Sequence, residues 1–309
     1  MASLKQLAKY PERLTGGHRA CAGCGAMVIM RQTMIAMEDK PVVVTSATGC
    51  MEVVTTLFPY TAWKVPFLHS AFENSAASCS GVEAAYKSLK KQGKIDKDIR
   101  FIAFGGDGGT YDIGLQSLSG AMERGHKLCY ICYDNQAYMN TGIQRSGATP
   151  FGASTTTAPA GKKQQGKEQF KKDLTAIIVA HNVPYVAQSA LGNWNDYMTK
   201  VQKATSVDGP SFINVLAPCR LGWPHESQLT ADLGRLGAET CFWPLFEVVN
   251  GKYKITFKPK QKKPVTDWLK LQARFKHLFK PENAHLLESI QKDVDERWEK
   301  LQKLEAISQ

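Results

Sequence analysis

Nowhere in the 309 residues do eighteen apolar side chains follow one another, so no segment is expected to cross a bilayer as a helix. The opening Met1-Ala-Ser-Leu-Lys-Gln-Leu-Ala-Lys lacks the apolar run and small-residue cleavage site of a secretion signal, and the expected location is the cytoplasm. Without an oxidising destination, the eight cysteines do not read as a disulfide framework. They must be buried thiols, metal ligands or reactive groups. Internal repeats are absent, which excludes solenoid and propeller architectures. A G-x-G-x-x-G beginning at Gly106 would need glycine where Tyr111 stands, and no G-x-x-x-x-G-K-[ST] occurs. The chain therefore carries neither a dinucleotide fingerprint nor a phosphate loop. Its formal charge of +11 invites a nucleic-acid partner, yet the excess is local. Between Gly251 and Lys280 ten Lys or Arg face only Asp267, a net +9, without the regularly interleaved aromatics that single-strand binding favours. That stretch reads as a solvated basic face or a docking face for an acidic protein, and no nucleic-acid partner is expected.

What is present is the pattern of an α/β protein. With 43% apolar residues the chain can bury a large core. Short apolar runs at Pro41 to Thr45, Phe101 to Phe104, Leu128 to Tyr133, Val183 to Val186 and Ser211 to Leu216 alternate with helix-like stretches. Such alternation predicts a doubly wound, mostly parallel sheet with helices on both faces. Two of the helices are expected over Glu73 to Lys91, ending at Gly93, and Leu115 to Arg124, ending at Gly125. From Thr141 to Lys172 glycine, proline, serine and threonine replace periodicity, and a loop of that length inside a compact domain is usually functional. The expected organisation is an α/β domain over 1–245, then a basic connector and a C-terminal helical tail over 246–309. Leu287, Ile290, Val294, Trp298 and Leu301 form the apolar stripe of that tail.

Two runs end abruptly at small or polar residues, Phe101-Ile-Ala-Phe-Gly-Gly-Asp-Gly-Gly109 and Leu128-Cys-Tyr-Ile-Cys-Tyr-Asp-Asn135. Buried parallel strands end in this way, and ligands of such sheets bind at their carboxyl edge. Asp107 could give a carboxylate to a hard divalent cation, with the side-chain oxygen of Asn135 and a nearby backbone carbonyl as further ligands. Gly106 and Gly108, lacking Cβ, would let phosphate oxygens approach the backbone N–H groups at the start of the following helix. A diphosphate bound through a metal suits all of these features.

The cysteines divide by position. Cys21 and Cys24 stand at a Gly-rich turn, Cys50 follows the first strand, and Cys219 follows the last, so the four thiols come from three separate loops. Spacing alone leaves a [4Fe–4S] cluster and a closed zinc site equally open. Cys129 and Cys132 lie three apart on one strand, point to opposite faces and are expected to be buried apolar residues, like Cys79 and Cys241. His69 could reach the carboxyl-edge site but reads as a structural histidine, and His18 carries no assignment.

Gly106-Asp107-Gly108, twenty-six intervening residues and Asn135 match the thiamine-diphosphate motif. The surrounding text is more specific. Phe104 to Gly125, Tyr133 to Arg145 and Cys21-Ala-Gly-Cys24-Gly resemble the β subunits of 2-oxoacid:ferredoxin oxidoreductases, nearest to the pyruvate:ferredoxin oxidoreductase (pyruvate synthase) type. The likeness runs from about Gly17 to Pro244 and returns in the tail. It implies a thiamine-diphosphate-binding fold, with Mg²⁺ held by Asp107, Asn135 and the carbonyl of Ala137. Asn140 and Thr141 would then lie beside the diphosphate and the reacting centre, Asn140 as a catalytic candidate. It also implies a [4Fe–4S] cluster on Cys21, Cys24, Cys50 and Cys219. The implied reaction is oxidative decarboxylation of pyruvate or another 2-oxoacid, with electrons passing to ferredoxin and the acyl group to coenzyme A. Relatives of this kind also handle oxalate, without coenzyme A, and branched-chain 2-oxoacids; a non-redox thiamine decarboxylase with structural zinc is the competing reading. No match for the family's pyrimidine-contacting glutamate is found, which implies that a companion α subunit supplies it, with γ and δ subunits carrying further clusters.

Overall fold

The computed structural model describes residues 4–308. Eight strands form one sheet in the order β2-β1-β3-β4-β6-β5-β7-β8. They are β1 (Val42–Ser46), β2 (Phe67–His69), β3 (Arg100–Gly106), β4 (Cys129–Asp134), β5 (Tyr185–Ala190), β6 (Ser211–Leu216), β7 (Phe246–Val249) and β8 (Lys252–Ile255). Pairings among β1 to β6 are all parallel, whereas β7 joins β5, and β8 joins β7, antiparallel. β1 and β3 are neighbours, yet the chain leaves β1 toward β2 on one side and β3 toward β4 on the other. Such a switch point opens a crevice at the carboxyl edge.

Strand alternation distributes the core. On β4, Cys129, Ile131 and Tyr133 join one buried cluster with the helices Gly25–Ala36 and Trp194–Ala204. Tyr130 and Cys132 join another, with Leu118, Ala121 and Met122 of the helix Leu115–Glu123. Cys129 and Cys132 thus face opposite sides, as the two-residue period requires. The helices Ser75–Lys91 and Leu115–Glu123 end before Gly93 and Gly125, both left-handed at φ +70° and +69°.

The stretch expected as a connector is structured. Residues 246–255 form the β7–β8 hairpin on the main sheet, because Phe246, Val248 and Ile255 can bury beside β5 while Lys252 and Lys254 stay outside. A third cluster then joins Leu216 and Ala190 to Trp223, Trp243, Trp268, Phe275, Ile290 and Val294. Trp268 stacks on Phe242 at 4.2 Å, a pairing worth about 0.5–1.5 kcal/mol beyond its buried area. The C-terminal helix Ala284–Ser308 buries Ile290, Val294 and Leu301 of the expected stripe against this arm and the hairpin. Several of the basic residues are neutralised locally: Lys258 by Glu305 and Lys263 by Glu239 at 2.6 Å each, and Lys262 by Asp295. No helix among the described residues is long and apolar enough to cross a membrane.

Candidate functional site

β3 brings Gly106 to the carboxyl edge, where the chain enters a single π-helical turn, Gly108–Asp112, before the helix Leu115–Glu123. Isolated π turns are frequent at functional sites. Asp107 begins this turn and is only 1% exposed. Its Oδ1 accepts the backbone N–H of Asn135 at 3.2 Å, and its Oδ2 accepts the Ser146 hydroxyl at 2.5 Å. Ser146 comes from the long loop after β4, whose Thr149 hydroxyl also donates to the carbonyl of Gln136 at 2.7 Å. The segment without periodicity is thus pinned to the site.

Gln136 adopts a left-handed conformation, φ +68°, which folds Asn135 and Ala137 toward the same point as Asp107. The inward atom of the Asn135 amide lies 2.8 Å from Asp107 Oδ1 and 2.9 Å from the Ala137 carbonyl oxygen. As nitrogen it donates to both. As oxygen it stands beside two further oxygens, and separations of about 2.9 Å are those between neighbouring ligands of an octahedral ion with metal–oxygen bonds of about 2.0–2.1 Å. The donor set therefore fits a magnesium ion.

At Gly106 and Gly108 the structure shows a further reason for glycine, the close approach of two rings. A Cβ on Gly106 would stand 3.2 Å from the Tyr133 ring, and one on Gly108 would stand 2.4 Å from the Tyr138 ring. The missing side chains let two tyrosines close the walls of a cavity of about 160 Å³. Thr48, Cys50, Phe72 and Met139 line it as well. Asn140 and Thr141 stand at its exposed rim, with the Thr141 hydroxyl donating to Gln144 Oε1 at 2.5 Å.

Of the four loop cysteines, Cys50 reaches this cavity, and Cys21, Cys24 and Cys219 lie within electrostatic reach of it. Cys50, the first residue of the helix Cys50–Thr55, is in the lining itself. Burial, followed by the nearness of Cys219, Cys24 and Cys21, pushes its thiol up to about 12. Burial also raises Cys24 and Cys219, opposed at Cys24 by hydrogen bonds from the backbone N–H groups of Met27 and Ala26, and at Cys219 by those of Gly222 and Leu221. Cys21 is exposed. These thiols sense one another electrostatically, yet among the described residues no three His, Cys, Asp or Glu are drawn close enough to hold a metal ion as they stand. Cys79, Cys129, Cys132 and Cys241 are buried elsewhere. His69 binds Thr48 Oγ1 at 2.7 Å beside the cavity, and His18 Nδ1 accepts the backbone N–H of Ala20 at 3.4 Å.

A second layer is invisible in the local sequence. Burial and the neighbouring Asp134 carboxylate hold Asp107 well above the usual carboxylate range, and burial pushes Asp134 up to about 6 against the pull of Lys171 and the Tyr111 hydrogen bond of 2.6 Å. Two buried acids side by side favour a proton or a cation. Arg274, 5% exposed, comes from the C-terminal arm and stacks on Trp223 at 4.1 Å. Trp223 in turn donates its indole N–H to the Asn135 carbonyl at 2.7 Å. An arginine in a lysine-rich run gives no local sign of burial; only its aromatic neighbours Trp268 and Phe275 hint at it.

Residues 47–215 match the family described as thiamine pyrophosphate enzyme, C-terminal TPP binding domain. Pyruvate synthase subunit PorB of Methanocaldococcus jannaschii is 53% identical over 288 residues, 93% of this chain and 95% of that one. Its Thermotoga maritima counterpart is 51% identical, over 99% of this chain and 97% of the other. Ketoisovalerate oxidoreductase subunit VorB of Pyrococcus abyssi is 43% identical, with 96% and 95% covered. A solved 2-oxoglutarate:ferredoxin oxidoreductase from Magnetococcus marinus shares the fold at 19% identity and a TM-score of 0.55, over 74% of this chain and 78% of that one. With its carboxyl-edge site inside the matched residues and its likeness running nearly end to end, the chain belongs to the thiamine-pyrophosphate-binding enzymes, as a β subunit of the pyruvate synthase type in the 2-oxoacid:ferredoxin oxidoreductase family.

Proposed function

We propose that this chain is the cofactor-binding half of a pyruvate-oxidising enzyme that passes electrons through a [4Fe–4S] cluster to ferredoxin and the acetyl group to coenzyme A. One observation carries the reading: Asp107, Asn135, Ala137 and Cys50 border the same cavity. Asp107, Asn135 and the Ala137 carbonyl would hold Mg²⁺, and the ion would draw the cofactor diphosphate onto the π turn. Bound thiamine diphosphate supplies the carbon nucleophile that permits decarboxylation of a 2-oxoacid. Phe72, Tyr138 and Met139 keep water from the wall of the pocket, while Asn140 and Thr141 at its rim would meet the substrate side.

Cys21, Cys24, Cys50 and Cys219 would hold the cluster. A single zinc ion with bonds of about 2.3 Å needs its sulfurs packed together, whereas a four-iron cluster spreads them and uses N–H···S bonds such as those reaching Cys24 and Cys219. The chain would act with an α subunit that completes the thiamine site and with γ and δ subunits. Phe58 is 94% and Tyr60 76% exposed just beyond the helix begun by Cys50, an apolar face suited to such a partner.

The test is anaerobic purification of the whole complex, with iron and thiamine analysis and a 2-oxoacid panel read by ferredoxin or viologen reduction. Pyruvate turnover that needs coenzyme A is expected. Preference for a branched-chain acid, as the ketoisovalerate relative's name raises, would change the substrate; oxalate turnover without coenzyme A would change the reaction. A colourless zinc protein would end the redox reading.

A further inference from the structure

The arm that ends the chain places a buried cation between the two halves of the site. Arg274 Nη2 donates to Gln136 Oε1 at 2.6 Å and to Gln272 Oε1 at 2.7 Å, while Nε donates to Gln272 Oε1 at 3.0 Å. Its guanidinium lies over Trp223, whose backbone N–H donates to the Cys219 carbonyl at 2.9 Å and whose indole N–H donates to the Asn135 carbonyl. One planar fork therefore touches both the turn that carries Asn135 and Ala137 and the loop that carries Cys219. Gln136 keeps its oxygen on this fork although its Nε2 is then buried without a partner. A neutral donor would hardly offset that orphan; a cation does.

We propose that Arg274 is a positioning residue that locks the Asn135–Ala137 ligand turn through Gln136 and sets the field at the Cys219 side of the cluster. The inference rests on the magnesium and cluster assignments above. The lock works through geometry, because Gln136 must hold φ +68°, a conformation unfavourable without external restraint. The field works through charge. Arg274 lies in electrostatic reach of Cys219, Asp134 and Asp107, and a nearby positive charge favours the reduced cluster.

The test compares the anaerobically purified complex with its Arg274→Lys and Arg274→Met forms. Iron content and magnesium-dependent thiamine diphosphate binding are measured first on the wild type; if it holds neither, the functional reading itself fails. Both variants lose the fork and should weaken magnesium binding about 10–100-fold, the usual effect of removing an outer-shell partner. Only Arg274→Met loses the charge, so only it should move the cluster midpoint potential, measured by redox titration with electron paramagnetic resonance, to more negative values. Unchanged magnesium affinity in both variants, or an unmoved potential in Arg274→Met, overturns the proposal. Should Arg274→Met fail to assemble, Gln136→Leu keeps the charge and removes the acceptor. Weaker magnesium binding at an unaltered potential is then expected, and wild-type affinity overturns the lock.

Discussion

Replacing Gly108 with alanine isolates the contact that closes the proposed cofactor pocket. The added methyl would sit 2.4 Å from two carbons of the Tyr138 ring, about 1 Å inside ordinary contact distance. The ring has little freedom to retreat, since its hydroxyl donates to Asp112 Oδ2 at 2.9 Å and its edge meets Phe72 at a centroid distance of 5.8 Å. If the ring stays, overpacking costs about 1–3 kcal/mol. If it swings away, a hydrogen bond to a carboxylate worth about 1.5–3 kcal/mol is lost. Helical glycine-to-alanine exchange would otherwise stabilise by about 0.5–1 kcal/mol, so the net loss is about 1–2 kcal/mol. At roughly 2–4 °C per kcal/mol the melting temperature should fall by about 2–8 °C. The displaced ring also narrows the cavity, and each 1.4 kcal/mol lost there weakens thiamine diphosphate about tenfold. Calorimetric melting and titration of the cofactor with magnesium read both effects. Gly81 is the control: it lies inside the helix Ser75–Lys91 with nothing within 4 Å of an added Cβ, and Gly81→Ala should raise the melting temperature. If Gly108→Ala melts no lower than wild type and binds the cofactor equally well, the tyrosine-wall argument is wrong.

Asp107→Ala should abolish magnesium-dependent thiamine binding, beyond the roughly 10–100-fold loss typical of an outer-shell change, while leaving iron in place; loss of iron instead would show that the two sites are not separable. Cys50→Ala should do the reverse, and Cys132→Ala should keep both iron and thiamine when assayed by metal analysis. At Glu83, burial opposes ionisation, but hydrogen bonds from His126, Lys87 and the backbone N–H of Lys127 outweigh it and hold the carboxyl below its ordinary value. The folded protein then binds fewer protons than the unfolded chain just below pH 4.5, so this stabilisation is present above that pH and lost as pH falls from there through the lower folded value. Glu83→Gln should therefore lower the melting temperature at pH 7 and flatten its acid decline; an unaltered pH profile would remove Glu83 from the account. Trp268→Ala should cost about 3–5 kcal/mol and loosen the arm that carries Arg274, read as a lower melting midpoint together with weaker magnesium binding.

Strand identity was legible wherever burial imposed a simple period. On β4 the alternation of Cys129, Ile131 and Tyr133 with Tyr130 and Cys132 is a property of extended backbone, so the separation of the two cysteines needed no tertiary knowledge. The stripe of the C-terminal helix followed from its own spacing in the same way. The β7–β8 hairpin escaped because both strands are only four residues long and β8, Lys-Tyr-Lys-Ile, looks like solvated chain; they become strands only when β5 offers an unpaired edge.

Asp107, Asn135 and the candidate thiols were nameable from sequence because a residue's chemistry and its place at a strand end are local properties. Folding decided what those groups face. The left-handed Gln136, the Ser146 hydroxyl returning from the long loop and the tyrosines opposite Gly106 and Gly108 set the shape of the site. Arg274 reaches Gln136 across 138 positions of chain. Within the lysine-rich run its charge looked like solvent-facing surface. Packed against Trp223, with two glutamine oxygens accepting from it, it becomes a buried part of the site, because the cost of burying a cation depends on its surroundings, and those are assembled only by the tertiary fold.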